Sequence, residues 1–249
     1  MQDENIFKKV KLLYKKWKDG LLGGEIMPED KNPKFEPSSK ENYIYFTLPM
    51  ALNYQRDSYK LWESALLTYQ DPSTNFVFDT KQVLTKSTLE VKQALTKYKL
   101  ALQQNKQTEI WLKLCDTLNK NFNGDIRNLF KEKDYDIEKI KNYIQVENKK
   151  DYPYLSGNKI CNYWLFVLHQ YTDAKIKNIH NLTIAPDTHV IKATKELGLI
   201  NDSEFNKNDV QLIVIDKWNK LLTGTEFCPI DIHTPLWLWS RNGFKNLND

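Results

Sequence analysis

Cysteine is scarce in this chain of 249 residues: Cys115, Cys161 and Cys228 stand far apart, an odd and sparse set. Such a set excludes a disulfide framework and points to a reducing compartment. It also cannot supply the four closely spaced thiolates that an iron–sulfur cluster needs. The four histidines, His169, His180, His189 and His233, lack zinc-like spacing, so neither a metal nor a cofactor is expected. No apolar run reaches the roughly 18 residues of a membrane span, and the charged N-terminus has no apolar core of a signal peptide. An intracellular chain without a membrane segment is therefore expected. Neither sign of charge dominates, with 36 basic against 32 acidic residues. Any affinity for nucleic acid must come from local placement of charge rather than from the total. Repeats and low-complexity segments are absent, and strand-like alternation is nearly so.

What is present is helical periodicity, in a chain long enough for one large or two small domains. Residues 3 to 18 carry Ile6, Val10, Leu13 and Trp17 on one stripe. Lysines cover the rest of that helix, as a solvated face or a DNA-contacting edge. Gly20, Gly23 and Gly24 end it, and Pro28, Pro33 and Pro37 keep the next stretch irregular. Helical spacing resumes from Ser38 to Leu52, and Asp57 caps a further helix holding Leu61, Trp62 and Ala65. Residues 72 to 78 read as a loop with a small strand-like tail. Helices follow through Leu89 to Leu102, Trp111 to Phe122 and Ile137 to Ile144. Near the C-terminus, Val210, Val214, Trp218 and Leu221 mark another, and the aromatic tail 228–239 reads as a helix packing Trp237 and Trp239 into the core.

The chemistry concentrates between residues 151 and 195. The turn Leu155-Ser156-Gly157-Asn158 delivers Lys159 to the start of a helix, Ile160 to Leu168, that is apolar almost all round and so belongs in the core. Further on, Asp187 in Pro186-Asp187-Thr188-His189-Val190 is placed to cap the next helix. A lysine and an aspartate thus each stand at a helix start.

This arrangement resembles the active site of the helix-hairpin-helix DNA glycosylases of base-excision repair. Their lyase-competent members carry a nucleophilic lysine on a Leu-Pro-Gly-x-Gly-x-Lys hairpin and a catalytic aspartate in a Val-Asp-Thr-His-like segment. Here Gly157 and Lys159 match the second glycine and the lysine, and Asp187 matches the aspartate. Leu155 replaces the first glycine, and 28 residues separate Lys159 from Asp187, more than in compact members. The chain is thereby similar to a divergent branch such as the archaeal 8-oxoguanine glycosylases. Asn53, Gln55 and Arg56 resemble the Leu-Ser-Gln-Gln-like segment that reaches the DNA gap, or form an ordinary helix connection. Phe122-Asn123-Gly124-Asp125 resembles the aromatic-x-Gly-Asp element ahead of the hairpin.

The resemblance implies an all-α fold in which a single unit, 1–249, forms two helical lobes around an active-site cleft. Residues 1–55 with 188–249 would make one lobe, and 56–187 the other, with the hairpin over 153–165. It implies a monomer acting on damaged double-stranded DNA, with a glycosylase and an abasic-site lyase activity. Lys159 would attack the anomeric carbon of an extruded nucleotide, its neutral form favoured by burial and by the helix dipole. Asp187 would balance the cationic sugar. The amides around Gly157 and Asn158 would hold a phosphate. Trp237, Trp239, Phe244 and Tyr43 are candidate walls for the base, with 8-oxoguanine favoured. Oxidised pyrimidines, alkylated bases, or a non-catalytic DNA-binding role for the hairpin are the alternatives.

Overall fold

The computed structural model describes residues 2–22, 27–245 and 247. Gly23 and Gly24 lie outside the described residues, while Gly20 closes the first helix with φ of 69°. Among the described residues the chain is all-α. There is no strand, only an isolated bridge between Asp136 and Lys177. No helix among them is long and apolar enough to cross a membrane.

The chain divides into two compact units, Met1–Met27 with Ile179–Asp249, and Pro28–Asn178. The expected boundaries fall elsewhere, after residues 55 and 187. Residues 28–55 belong with the second unit because their polar groups are satisfied there. Asn42 Nδ2 donates to the Tyr171 carbonyl (2.7 Å), Tyr43 Oη to Asp173 (2.7 Å), and Trp164 Nε1 to Thr47 Oγ1 (3.1 Å).

In the continuous unit, helices α2 (Lys40–Tyr45) and α3 (Leu48–Ala51) replace the one helical stretch read from Ser38 to Leu52. Pro49 lies in the first turn of α3, where its missing N–H costs nothing. Helix α4 (Ser58–Gln70) starts at Asp57, whose carboxylate accepts from the Lys60 amide, as expected from the sequence. The strand-like tail after residue 72 is instead a 3-10 turn, Asn75–Phe78. Val77 and Phe78 are buried in it, and the Val77 carbonyl accepts from Trp111 Nε1 (3.0 Å).

Then come α5 (Thr80–Thr85), α6 (Thr88–Lys97) and α7 (Gln104–Phe122), the last ended by Asn123 and Gly124 in the left-handed region. Asp125 caps α8 (Ile126–Glu132), and α9 (Ile137–Asn142) runs on into a π-helical turn. Helix α10 (Asn158–Tyr171) has Cys161, Trp164, Leu165, Val167 and Leu168 fully buried, which meets the expectation from its apolar sequence.

The other unit joins both ends of the chain. Helix α1 (Gln2–Lys18) buries Ile6, Val10 and Leu13, and its lysines face outward, with Lys11 paired to Glu226 (2.8 Å). It packs with α14 (His233–Arg241) beside α11 (Thr188–Glu196), α12 (Asp202–Phe205) and α13 (Val210–Leu222). Trp218 of α13 is fully buried and donates from Nε1 to Thr194 Oγ1 (2.9 Å).

Candidate functional site

The hairpin is built as a tight double turn on a buried leucine. Leu155 is fully buried, so the residue standing where a glycine was expected anchors the turn into the core. The Ser156 amide donates to the Tyr152 carbonyl (2.8 Å) and the Gly157 amide to the Tyr154 carbonyl (2.9 Å). Gly157 has ordinary extended dihedrals, and its role is close approach. A Cβ there would stand 3.2 Å from the Tyr154 carbonyl oxygen.

Gly157 is also the N-cap of α10, and no side chain caps that helix. The first-turn amides therefore have no intrahelical or side-chain acceptor, as an anion-binding helix start requires. Asn158 Oδ1 accepts from Gln145 Nε2 (3.1 Å), which leaves the Asn158 backbone amide as its contribution to such a site. Lys159 follows as the second residue of the helix. It is exposed, which corrects the expected burial: α10 turns its buried face elsewhere, through Cys161, Trp164, Leu165 and Leu168.

The loop 53–56 meets the hairpin within the same unit. Tyr54, exposed, stacks on Tyr154 with centroids 5.3 Å apart and planes at 18°. Lys106 of α7 places its amine 5.7 Å from the Tyr54 ring centre and 5.4 Å from that of Tyr154. Both distances are within cation–π reach. Tyr154 is held at φ of 63° and donates its hydroxyl to Gln103 Oε1 (3.0 Å).

Of the three residues read as DNA-facing, Asn53 is half-buried and Gln55 is exposed at φ of 46°. Arg56 is committed to the fold. Its Nη1 donates to the Lys99 and Leu100 carbonyls (3.0 and 2.7 Å), and Nη2 to the Lys60 carbonyl and Ser64 Oγ (3.1 and 3.3 Å). Burial lowers the guanidinium's pKa from its usual value. The sequence pointed to the polar residues of this loop, whereas the tyrosine between them makes the link to the hairpin.

Asp187 stands in the other unit, as the N-cap of α11. Its Oδ1 accepts from the His189 and Val190 amides, both at 2.9 Å, the capping geometry expected from the sequence. Its Oδ2 accepts from Trp237 Nε1, also at 2.9 Å. His189 meets the Trp237 ring edge-on (5.3 Å, 65°), and the Arg241 guanidinium lies 5.6 Å from that ring's centre.

The aromatic candidates for a base wall are mostly interior. Trp237 and Trp239 are 5% and 3% exposed, and Tyr43 is buried with its hydroxyl on Asp173. Phe244 is half-buried at φ of 62° and packs edge-on against Trp239 (4.9 Å, 78°). Among the described residues no three His, Cys, Asp or Glu side chains gather as a metal site would require. Asp231 accepts from the Cys228 amide (2.9 Å) as a cap of the turn before α14. Comparison of the sequence with protein-family models and with curated proteins returned no match.

Proposed function

We propose that the chain is a DNA glycosylase with abasic-site lyase activity, using Lys159 as nucleophile and Asp187 as the balancing carboxylate. The observation that carries this reading is a lysine in the uncapped first turn of a buried helix, followed in order by an aspartate with an oriented carboxylate at another helix start. The target nucleotide leaves the base stack, since its anomeric carbon is out of reach inside a duplex. The neutral Lys159 amine attacks that carbon, and the base departs with the electron pair of the glycosidic bond. The Asp187 carboxylate offsets the positive charge that builds on the sugar. Ring opening then gives the lysine–sugar imine from which the strand is cleaved. An oxidised purine, 8-oxoguanine first, is the preferred substrate of this reading.

The DNA-facing surface in this proposal is the hairpin amides around Gly157 and Asn158, together with the Tyr54–Tyr154 pair and Lys106. A stacked aromatic pair with Tyr54 exposed and Tyr154 half-buried, beside an amine, suits bases and phosphates at once. Arg56 serves the loop's shape and not the DNA. A second reading draws on the exposure of Lys159: a hairpin that holds phosphates without chemistry.

Borohydride trapping on a duplex containing 8-oxoguanine separates the two. The wild-type protein is expected to become covalently linked, and Lys159→Gln to lose trapping and strand cleavage. Binding by the variant should stay within roughly tenfold, about 1.4 kcal/mol, because one charge among many phosphate contacts adds little. Absence of trapping by the wild type, with binding intact, selects the non-catalytic reading. Cleavage by Lys159→Gln would move the nucleophile to another amine.

A further inference from the structure

The two oxygens of the Asp187 carboxylate are held by different parts of the chain. Oδ1 takes the amides of His189 and Val190, as an aspartate cap does on its own helix. Oδ2 takes the indole N–H of Trp237, which arrives from α14, fifty residues on, at 2.9 Å. That side chain is 5% exposed, so its N–H must find an acceptor inside the protein. The ring has little freedom to do otherwise, with His189 against its edge and the Arg241 guanidinium near its face. His189 is itself tied to the same helix, Nδ1 to Ser240 Oγ at 3.3 Å. Trp239, two residues along, is equally buried, but its Nε1 has no hydrogen-bond partner. An indole N–H aimed at a carboxylate is thus particular to Trp237 among this helix's two tryptophans.

We propose that Trp237 is a positioning residue for the excision step, fixing Oδ2 of Asp187 so that the carboxylate presents one orientation to the developing cation. This rests on the reading of Asp187 given above. It replaces the role of a base-stacking wall with that of a donor acting through Asp187. A carboxylate capped on Oδ1 alone can swing Oδ2 about its Cβ–Cγ bond, and a preorganised charge is worth more than one that must reorient during the reaction.

The test is a two-by-two comparison of Trp237→Phe, Asp187→Asn and the double variant in single-turnover base excision. In parallel, borohydride trapping is followed on a duplex with a pre-formed abasic site. Trp237→Phe is expected to slow excision by at least tenfold and leave trapping on the abasic duplex within threefold. Added to Asp187→Asn, it should cause no further loss beyond about twofold, since both changes remove one function. Equal losses in excision and abasic trapping would mark a merely structural tryptophan, and multiplying losses in the double variant a direct contact with the base; either overturns the proposal. Replacement of Trp237 by 3-benzothienylalanine keeps the ring and removes the N–H, and should give the same pattern if the phenylalanine variant folds poorly. A wild-type protein that neither excises nor traps overturns the glycosylase reading and this role with it. A wild type that does both, with an unaffected Trp237→Phe, overturns this role alone.

Discussion

Glu29 illustrates how much a single residue can hide from its sequence neighbourhood. It is 2% exposed on the 3-10 turn Pro28–Asp30, and Tyr163 of α10 donates its hydroxyl to Oε1. Burial pushes its carboxyl up to about 7, with the Asp30 charge adding to the rise and the Tyr163 hydrogen bond opposing it. Because the folded value lies above the ordinary 4.5, the folded state binds this proton more tightly than the unfolded chain. The associated stability is full below about pH 4.5 and is lost as pH rises through 7. Glu29→Gln keeps an acceptor for Tyr163 and cannot ionise. Relative to wild type, it should gain roughly 2–3 kcal/mol in urea-unfolding free energy between pH 5 and pH 8. A difference that stays constant over that range would show that Glu29 is not held neutral. Nothing in Pro28-Glu29-Asp30 signals burial, since its hydrogen-bond partner Tyr163 lies 134 positions away and α4, which packs on the turn, follows only after an intervening pair of helices. Lys159 is the converse case. An apolar helix next to it suggested burial, but the first turn of a helix can stand clear of the core its later turns fill.

Helices were more legible than the polar contacts between them, and caps more legible than corners. Asp57 and Asp187 could be placed as N-caps because the signal is local: a short acceptor immediately before an apolar period. The break between α2 and α3 was not legible, since the apolar positions on either side keep one spacing through it. Gly124 shows what a corner demands. It sits at φ of 72° between α7 and α8, and a Cβ there would lie 2.8 Å from both Asn119 Oδ1 and Thr80 Oγ1. Those atoms cannot readily give way. Thr80 Oγ1 donates to the Gly124 carbonyl (2.8 Å), and Asn119 Nδ2 donates to the Thr80 carbonyl (3.0 Å), joining α5 to α7. Gly124→Ala should therefore cost roughly 2–4 kcal/mol through strain and overpacking together. Chemical denaturation measures it, and a loss under about 1 kcal/mol would mean that the corner relaxes at little cost. The sequence marked Phe122-Asn123-Gly124-Asp125 by resemblance to a motif; this packing gives the glycine a physical reason of its own.

For the whole molecule, charge sets how DNA would be held. With 36 basic and 32 acidic residues the net field is weak, so the proposed DNA binding would rest on a few local amines. If Lys106 and Lys159 each neutralise one phosphate, Lys106→Ala and Lys159→Ala should each reduce the slope of log affinity against log salt by about 0.9. Fluorescence anisotropy titrations of a duplex over a range of salt concentrations would show it. Unchanged slopes would place the phosphate contacts on other residues. Composition disclosed this balance at once, whereas the pairing of Tyr54 with Tyr154 under Lys106 needed the fold, because one hundred residues separate the two rings.

The division of the chain into one continuous unit and one assembled from both ends carries a consequence for synthesis. A ribosome releases the chain from its first residue onward, and domains gather as their parts emerge. Residues 28–178 are all available once position 178 has cleared the exit tunnel, so the hairpin and its lysine can take shape while translation continues. Helix α1 precedes that unit and must wait for α14, against which it packs and which follows it. Asp187 acquires its indole partner only when Trp237 has been added. A nascent chain stalled between these points would hold Lys159, the proposed nucleophile, without the oriented Asp187 carboxylate. On the proposed function, base excision would then await α14, which brings Trp237 to the Asp187 carboxylate.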